Sequence, residues 1–160
     1  GNIAISLKKE IPHAEVYASD ISDAALEIAK CNASNLLDGE SRIIFRHGDL
    51  LQPFSGNTFD LIISNPPYVS AAEYEALSCE IREHEPRLAL YAGEEGLDVY
   101  RQLIPQAHLH LNPHGNILVE IGYGQKDAVI AIFQEHGFAI HDIIKDYAGI
   151  DRVVVACIGN

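Results

Sequence analysis

The apolar run Phe59-Asp60-Leu61-Ile62-Ile63-Ser64 ends abruptly at Asn65-Pro66-Pro67-Tyr68. Successive prolines fix φ and lack N–H donors, so neither helix nor sheet pairing continues through them. Asn65, ahead of a proline, is pushed to an extended conformation. The segment therefore reads as a buried strand that stops in a rigid loop. In open α/β sheets, ligands bind in the crevice outside the carboxyl ends of the strands. A stiff loop there makes an acceptor site, because the Asn65 side-chain oxygen and the Pro66 carbonyl can both face one small donor. A neutral NH2 with two hydrogens matches that pair. The bland alternative is a proline turn capped by an aromatic residue packed on the core.

Around this strand the chain alternates in period. Ile3, Ile5 and Leu7, with small Ala4 and Ser6 between them, suggest a buried helix running to about residue 10, where Pro12 enforces an end. Residues 15–19 read as a short buried strand ending at Asp20, and Ser22 suits the N-cap of a helix over 23–37. In that helix Ala25, Ile28, Ala29 and Leu36 lie at helical spacing and predict the core face. A β-branched strand over 42–46 delivers His47-Gly48-Asp49, and 59–64 reads as a strand covered on both faces. After a loop region with a short helix over 71–77, a helix spans 95–111 and Asn112-Pro113-His114-Gly115 stops it. A strand over 116–121, a helix over 125–136 and strands over 138–144 and 152–158 complete the order. Strands alternating with helices predict an α/β fold with a parallel sheet. The last two strands, joined without a helix, predict an antiparallel closing pair.

With 160 residues, 48% of them hydrophobic, a single domain with its own core is expected, since domains cluster at about 100–150 residues. Lys plus Arg total 11 against 23 acidic residues, a net charge of −12, and no basic run stands out. Nucleic-acid binding draws on phosphate neutralisation, so a polyanionic partner is not expected. Cys31, Cys79 and Cys157 are odd in number and form no Cys-x-x-Cys pair, which reads as reduced thiols in a cytoplasmic protein. His108-Leu109-His110 is accompanied by no His-Glu-x-x-His and no Cys/His cluster, so no metal site is expected. No apolar stretch reaches the roughly 18 residues of a membrane span.

An acid at the end of the second strand of such a fold is placed to accept hydrogen bonds from ribose hydroxyls, and Asp20 occupies that position. The glycine-rich turn of the fingerprint lies about 20 residues earlier, which reaches Gly1. Asp20 serves equally well as a helix-entry residue ahead of Ser22.

Gly1-Asn2-Ile3-Ala4 resembles the tail of the methyltransferase Gly-x-Gly-x-Gly segment, and Asn65-Pro66-Pro67-Tyr68 resembles the motif of amino-methyltransferases that use S-adenosylmethionine. The stretch from Glu83-His84-Glu85-Pro86-Arg87 through Gly93, Gly96 and Leu97 to Tyr100-Arg101 is similar to the signature of bacterial protein-(glutamine-N5) methyltransferases, which modify peptide-chain release factors. Leu118 to Gly122 with Gln125, and Lys145 to Arg152, agree with it, and the resemblance spans Gly1 to about Ala156. Ala92, Glu95 and Tyr147 depart from the commoner glycine, aspartate and leucine.

The resemblance implies a class I, Rossmann-like methyltransferase sheet that lacks its first strand, in a fragment spanning residues 1–160. It implies S-adenosyl-L-methionine as cofactor, held by Gly1, Asp20, Asp49, Leu50 and Asn65, with Asp49 meeting the adenine amine and Leu50 the adenine face. It implies Asn65, Pro66 and Tyr68 as the catalytic group, and Asn65, Pro66, Pro67 and Tyr68 as the substrate site. The implied partner is a release factor, which family members engage through an amino-terminal helical domain. Loss of a central strand would leave its neighbours unpaired. Rival readings are an amino-methyltransferase acting on adenine or guanine of DNA or RNA, and a non-catalytic module of the same fold. A nicotinamide-dependent Rossmann enzyme is weakened by the proline motif and the closing antiparallel pair.

Overall fold

Local chemistry sets most element boundaries in the computed structural model, which describes residues 1–38 and 42–159. The chain divides into two units, Gly1–Gly56 and Asn57–Asn160.

In the first unit, helix α1 (Asn2–Glu10) turns Ile5 and Lys8 inward. The buried Lys8 ammonium donates to the carbonyls of Pro12 at 2.8 Å and Ala14 at 2.6 Å, so its desolvation is offset by strong acceptors. Strand β1 (Val16–Asp20) follows. The Ser22 hydroxyl then accepts from the Ala25 N–H at 3.3 Å and starts helix α2 (Asp23–Leu36). Strand β2 (Ile43–His47) runs parallel to β1, with Val16 opposite Ile43 and Asp20 opposite His47. A 3-10 turn, Gln52–Phe54, buries Phe54 edge-on against Tyr17 at 5.8 Å. Gly1 lies so close to α2 that a Cβ there would sit 2.6 Å from the Ala29 Cβ.

The second unit holds a four-stranded sheet in the order β3-β4-β6-β5. Strand β3 (Phe59–Ser64) is parallel to β4 (Leu111–Glu120). Strands β5 (Phe138–Lys145) and β6 (Asp151–Ile158) form the predicted antiparallel pair, with β6 also antiparallel to β4. Short helices α3 (Ala71–Ala76), α4 (Cys79–His84) and α5 (Arg87–Leu90) lead to α6 (Asp98–His110), and α7 (Lys126–Glu135) joins β4 to β5. The core of this unit is Tyr100, Leu103, Ile104 and Ala107 of α6, Ile117 and Val119 of β4, Val129 and Phe133 of α7, and Val154 and Ala156 of β6. Each large apolar side chain buried there stabilises the unit by about 1.5–3 kcal/mol.

Four expectations change. The inward face of α2 is Leu26, Ala29 and Ala33, whereas Ile28 is 63% exposed and Leu36 53% exposed. Apolar spacing predicts a core stripe, but the stripe that faces β1 and β2 uses the smaller alanines, which let the helix approach closely. Strand β3 is not covered on both faces: Ile62 is 6% exposed and Leu61 39%, so the pleat separates two apolar neighbours onto unlike faces. Helix α6 starts at Asp98, because Gly93 and Gly96 adopt positive φ of 86° and 72° and keep residues 93–97 in a turn. Asn112-Pro113-His114-Gly115 does not precede β4 but lies inside it as a bulge. Phe59 pairs with Leu111 and Leu61 with Asn116, and His114 takes φ of 67° to absorb the extra residues. Strands β1 and β3 each have one hydrogen-bonded neighbour among the described residues.

Candidate active site

Ser64 pairs with Val119, so the Asn65-Pro66-Pro67-Tyr68 loop leaves the sheet at the carboxyl ends of β3 and β4. Asn65 is exposed, Pro66 buried, and Pro67 and Tyr68 half-buried. Beyond the loop the chain is tied down at once. Val69 donates to the Leu90 carbonyl at 2.8 Å and accepts from the Ala92 N–H at 2.9 Å, and Ala71 donates to Gly93 at 3.0 Å. Ser70 starts α3 with a reciprocal capping box, its hydroxyl and N–H both reaching Glu73 Oε2 at 2.6 and 2.9 Å. Arg87 lies over the rings of Tyr91 at 4.4 Å and Tyr74 at 5.5 Å, bracing α3 against α5.

The loop is also gripped from behind. Gln125 Nε2 donates to the Tyr68 carbonyl at 2.9 Å and the Gly96 carbonyl at 3.3 Å, while its Oε1 accepts from the Gly122 N–H at 3.0 Å. The wholly buried Tyr100 donates its hydroxyl to the Glu120 carbonyl at 3.0 Å, with Gln125 Oε1 at 3.4 Å. Burial pushes the Tyr100 hydroxyl well above the ordinary phenol range. Burial also raises the Tyr68 hydroxyl, and the nearby Glu120 carboxylate adds to the effect; Arg152 opposes it. Arg152 donates to the Ile121 carbonyl at 3.2 Å and to Asp146 Oδ2 at 3.1 Å. The other Asp146 oxygen accepts from the Ala148 and Ile150 N–H groups at 2.9 and 3.0 Å. The Ile150 N–H first, then the Arg152 guanidinium, hold this carboxyl below its usual range. Asp151 pairs with Lys126 at 2.8 Å and with Lys145, which lower it likewise.

In the first unit, Asp20, Asp49 and Leu50 share the carboxyl edge of β1 and β2. Asp20 Oδ1 accepts from the Ser22 N–H at 2.9 Å, so the residue is a helix-entry group as well. Its Oδ2 makes no hydrogen bond among the described residues. The Gly48 N–H donates to the Asp20 carbonyl at 3.0 Å, and the Ser19 hydroxyl to the Leu50 carbonyl at 2.6 Å. Leu50 adopts φ of 49°, a left-handed conformation costing about 1–3 kcal/mol for a non-glycine residue. The Asp49 carbonyl accepts from Gln52 at 3.0 Å, and the Asp49 carboxylate makes no hydrogen bond among the described residues. These two acidic acceptors would repel a phosphate. They suit neutral hydroxyls and an amine, the polar groups of a nucleoside, so the residues present fit the nucleoside end of S-adenosylmethionine. Gly1 packs on α2 as described and offers no side chain.

The loop residues therefore stand together in the second unit, and Asp20, Asp49 and Leu50 together in the first. Gly96, Tyr100, Glu120 and Gln125 are the site residues that sequence reasoning passed over as site residues. All four fall within the family-like stretches, which was the available signal. Among the described residues no group of three or more His, Cys, Asp or Glu could hold a metal ion. No helix among them is long and apolar enough to cross a membrane.

A family model described as the methyltransferase small domain matches residues 1–88. The chain is 43% identical over 159 residues to a release factor glutamine methyltransferase of Geobacter sulfurreducens, covering 99% of this chain and 55% of the relative. It is 42% identical over 156 residues to a protein of the same name from Koribacter versatilis, covering 97% of this chain and 54% of the relative. The chain thus spans about half the length of these curated relatives. Among solved structures, a ribosomal protein L11 methylase from Lactobacillus delbrueckii subsp. bulgaricus superposes with a TM-score of 0.72 at 24% identity, covering 100% of this chain and 66% of that one.

Proposed function

We propose that this chain, which belongs to the methyltransferase small domain family, carries out S-adenosylmethionine-dependent N5-methylation of a glutamine side chain in a peptide-chain release factor. The reading takes residues 1–160 as one catalytic domain acting in the cytoplasm, with neither nucleic acid, membrane nor metal as partner. The observation that carries it is the anchoring of Asn65-Pro66-Pro67-Tyr68 at both ends, which presents two uncharged acceptors in a fixed loop. The names of the two relatives above support the substrate class.

A glutamine amide nitrogen is a poor nucleophile because its lone pair is delocalised into the carbonyl. In this reading the Asn65 side-chain oxygen and the Pro66 carbonyl accept its two N–H groups, orient the nitrogen and favour the pyramidal geometry that frees the lone pair. Asparagine suits this better than aspartate, whose charge would have to be desolvated beside a neutral amide. The same carbonyl dipoles stabilise positive charge that builds on the nitrogen. Tyr68, half-buried and close to Glu120, packs on the planar amide and excludes water. Asp20 Oδ2 would hold the ribose hydroxyls, Asp49 the adenine amine and Leu50 the adenine face, with Gly1 in the same unit. When bound, S-adenosylmethionine supplies an activated methyl group on its sulfonium.

The test is methyl transfer from radiolabelled S-adenosylmethionine by the complete protein to a release factor, to the same factor with its acceptor glutamine replaced by alanine, and to DNA and RNA. Label on the unaltered factor alone is expected. Label on nucleic acid, or on the alanine factor at an equal level, overturns the reading.

A further inference from the structure

Pro66 and Pro67 have no N–H, so the middle of the loop offers the main chain only carbonyls by which it can be pinned. The donor to the Tyr68 carbonyl comes from Gln125, 57 residues further along the chain. A primary amide has two donor hydrogens and two acceptor lone pairs. Three are used fully and the fourth is shared: Nε2 reaches Tyr68 and Gly96, Oε1 meets the Gly122 N–H, and the single Tyr100 O–H, directed at the Glu120 carbonyl at 3.0 Å, also lies 3.4 Å from Oε1. The fit also depends on the missing side chain of Gly96, where a Cβ would stand 2.4 Å from the Tyr68 carbonyl and 2.7 Å from Gln125 Nε2. Capping of α7 does not require this amide. Its start is made by main-chain bonds, Gln125 N–H to Gly122 at 3.2 Å and Val129 N–H to Gln125 at 3.0 Å, and the side chain makes no cap hydrogen bond.

We propose that Gln125 is a positioning residue for methyl transfer: acting through the Tyr68 carbonyl, it fixes the loop that carries Asn65 and Pro66 and so governs turnover rather than affinity. The inference rests on the reading of that loop as the amide-binding site. Tyr100 is its support, because its hydroxyl steadies the Gln125 oxygen and the end of β4 together.

The experiment compares the complete protein with Gln125→Met, which keeps the length of the side chain and removes its hydrogen bonds, and with Tyr100→Phe. In Gln125→Met, kcat on a release factor is expected to fall about 10- to 100-fold, as displacement of a positioned group does. KM for the factor and the calorimetric Kd for S-adenosylmethionine should stay within about 3-fold, the signature of an interaction needed only in the transition state. Amide exchange at Gly122, Val69 and Ala71 should accelerate. Tyr100→Phe should move kcat the same way by a smaller factor, and it carries the test alone if Gln125→Met does not fold. Faster Gly122 exchange with unchanged kcat overturns the proposal, as does a kcat loss matched by an equal loss of cofactor affinity. If the unaltered protein methylates no release factor, the functional reading fails instead. Exchange then decides the clamp by itself: acceleration at Val69 and Ala71 supports it, and unchanged protection there removes it.

Discussion

Asn65 and Asp20 each carry one proposed role, substrate and cofactor binding, and each is testable by removing one atom's function. Asn65→Ala takes away an acceptor of the substrate amide, so kcat on the release factor should fall by about 10²-fold. The Kd for S-adenosylmethionine should change little by calorimetry. Asp20→Asn is more discriminating than Asp20→Ala, because its Oδ1 can still accept from the Ser22 N–H while Oδ2 becomes a donor. Cofactor affinity should weaken about 10-fold, on the scale of one charge-assisted hydrogen bond, with the urea midpoint unmoved. The placement of these two residues at strand ends was legible because each depends on local order: an amide ahead of two prolines, and an acid at a strand end. Gln125 was not legible as a clamp, since its partners Tyr68, Gly96 and Tyr100 come together only through the fold.

Caps and turns decide how well the elements could be read. Helix α2 starts where the Ser22 hydroxyl can bond the Ala25 N–H, a three-residue rule visible in the chain itself. Helices α4 and α5 escaped notice because they have six and four residues and bury none, leaving no apolar period to detect. The β4 bulge was hidden for the opposite reason. Asn112-Pro113-His114-Gly115 has the composition of a stop, and only pairing with β3 shows that the strand continues through it. At this scale Gly96→Ala is the informative change. A Cβ would meet the Tyr68 carbonyl at 2.4 Å on a backbone with φ of 72°. The cost should be about 1–3 kcal/mol in urea denaturation, with turnover falling alongside.

The whole molecule carries a net charge of −12, and two features follow. Added RNA or DNA should leave release-factor methylation unchanged, because a net charge of −12 disfavours a polyanion; inhibition in a competition assay would contradict this. Stability should also depend on acid in one direction. The carboxyls of Asp146, bonded first by the Ile150 N–H, and Asp151, bonded first by Lys126, both titrate below their usual range when folded. Their contribution is complete above the unfolded value of about 4 and disappears as pH falls through the folded values. The urea midpoint should therefore be level near neutrality and drop below about pH 4, and Asp146→Asn should flatten part of that drop. The antiparallel closing pair was readable at this scale from the missing helix between its strands. That the parallel strands would not all join in one sheet was expected from the family resemblance and not from any local pattern, because strand neighbours are set by long-range pairing.

Leu50 holds a branched side chain on a backbone shape that glycine would take without strain. Under the proposed reading, a change to glycine would relax the corner and strip it of the hydrocarbon that faces the adenine ring. Selection for heat resistance and selection for tight nucleoside capture therefore pull this one codon in opposite directions.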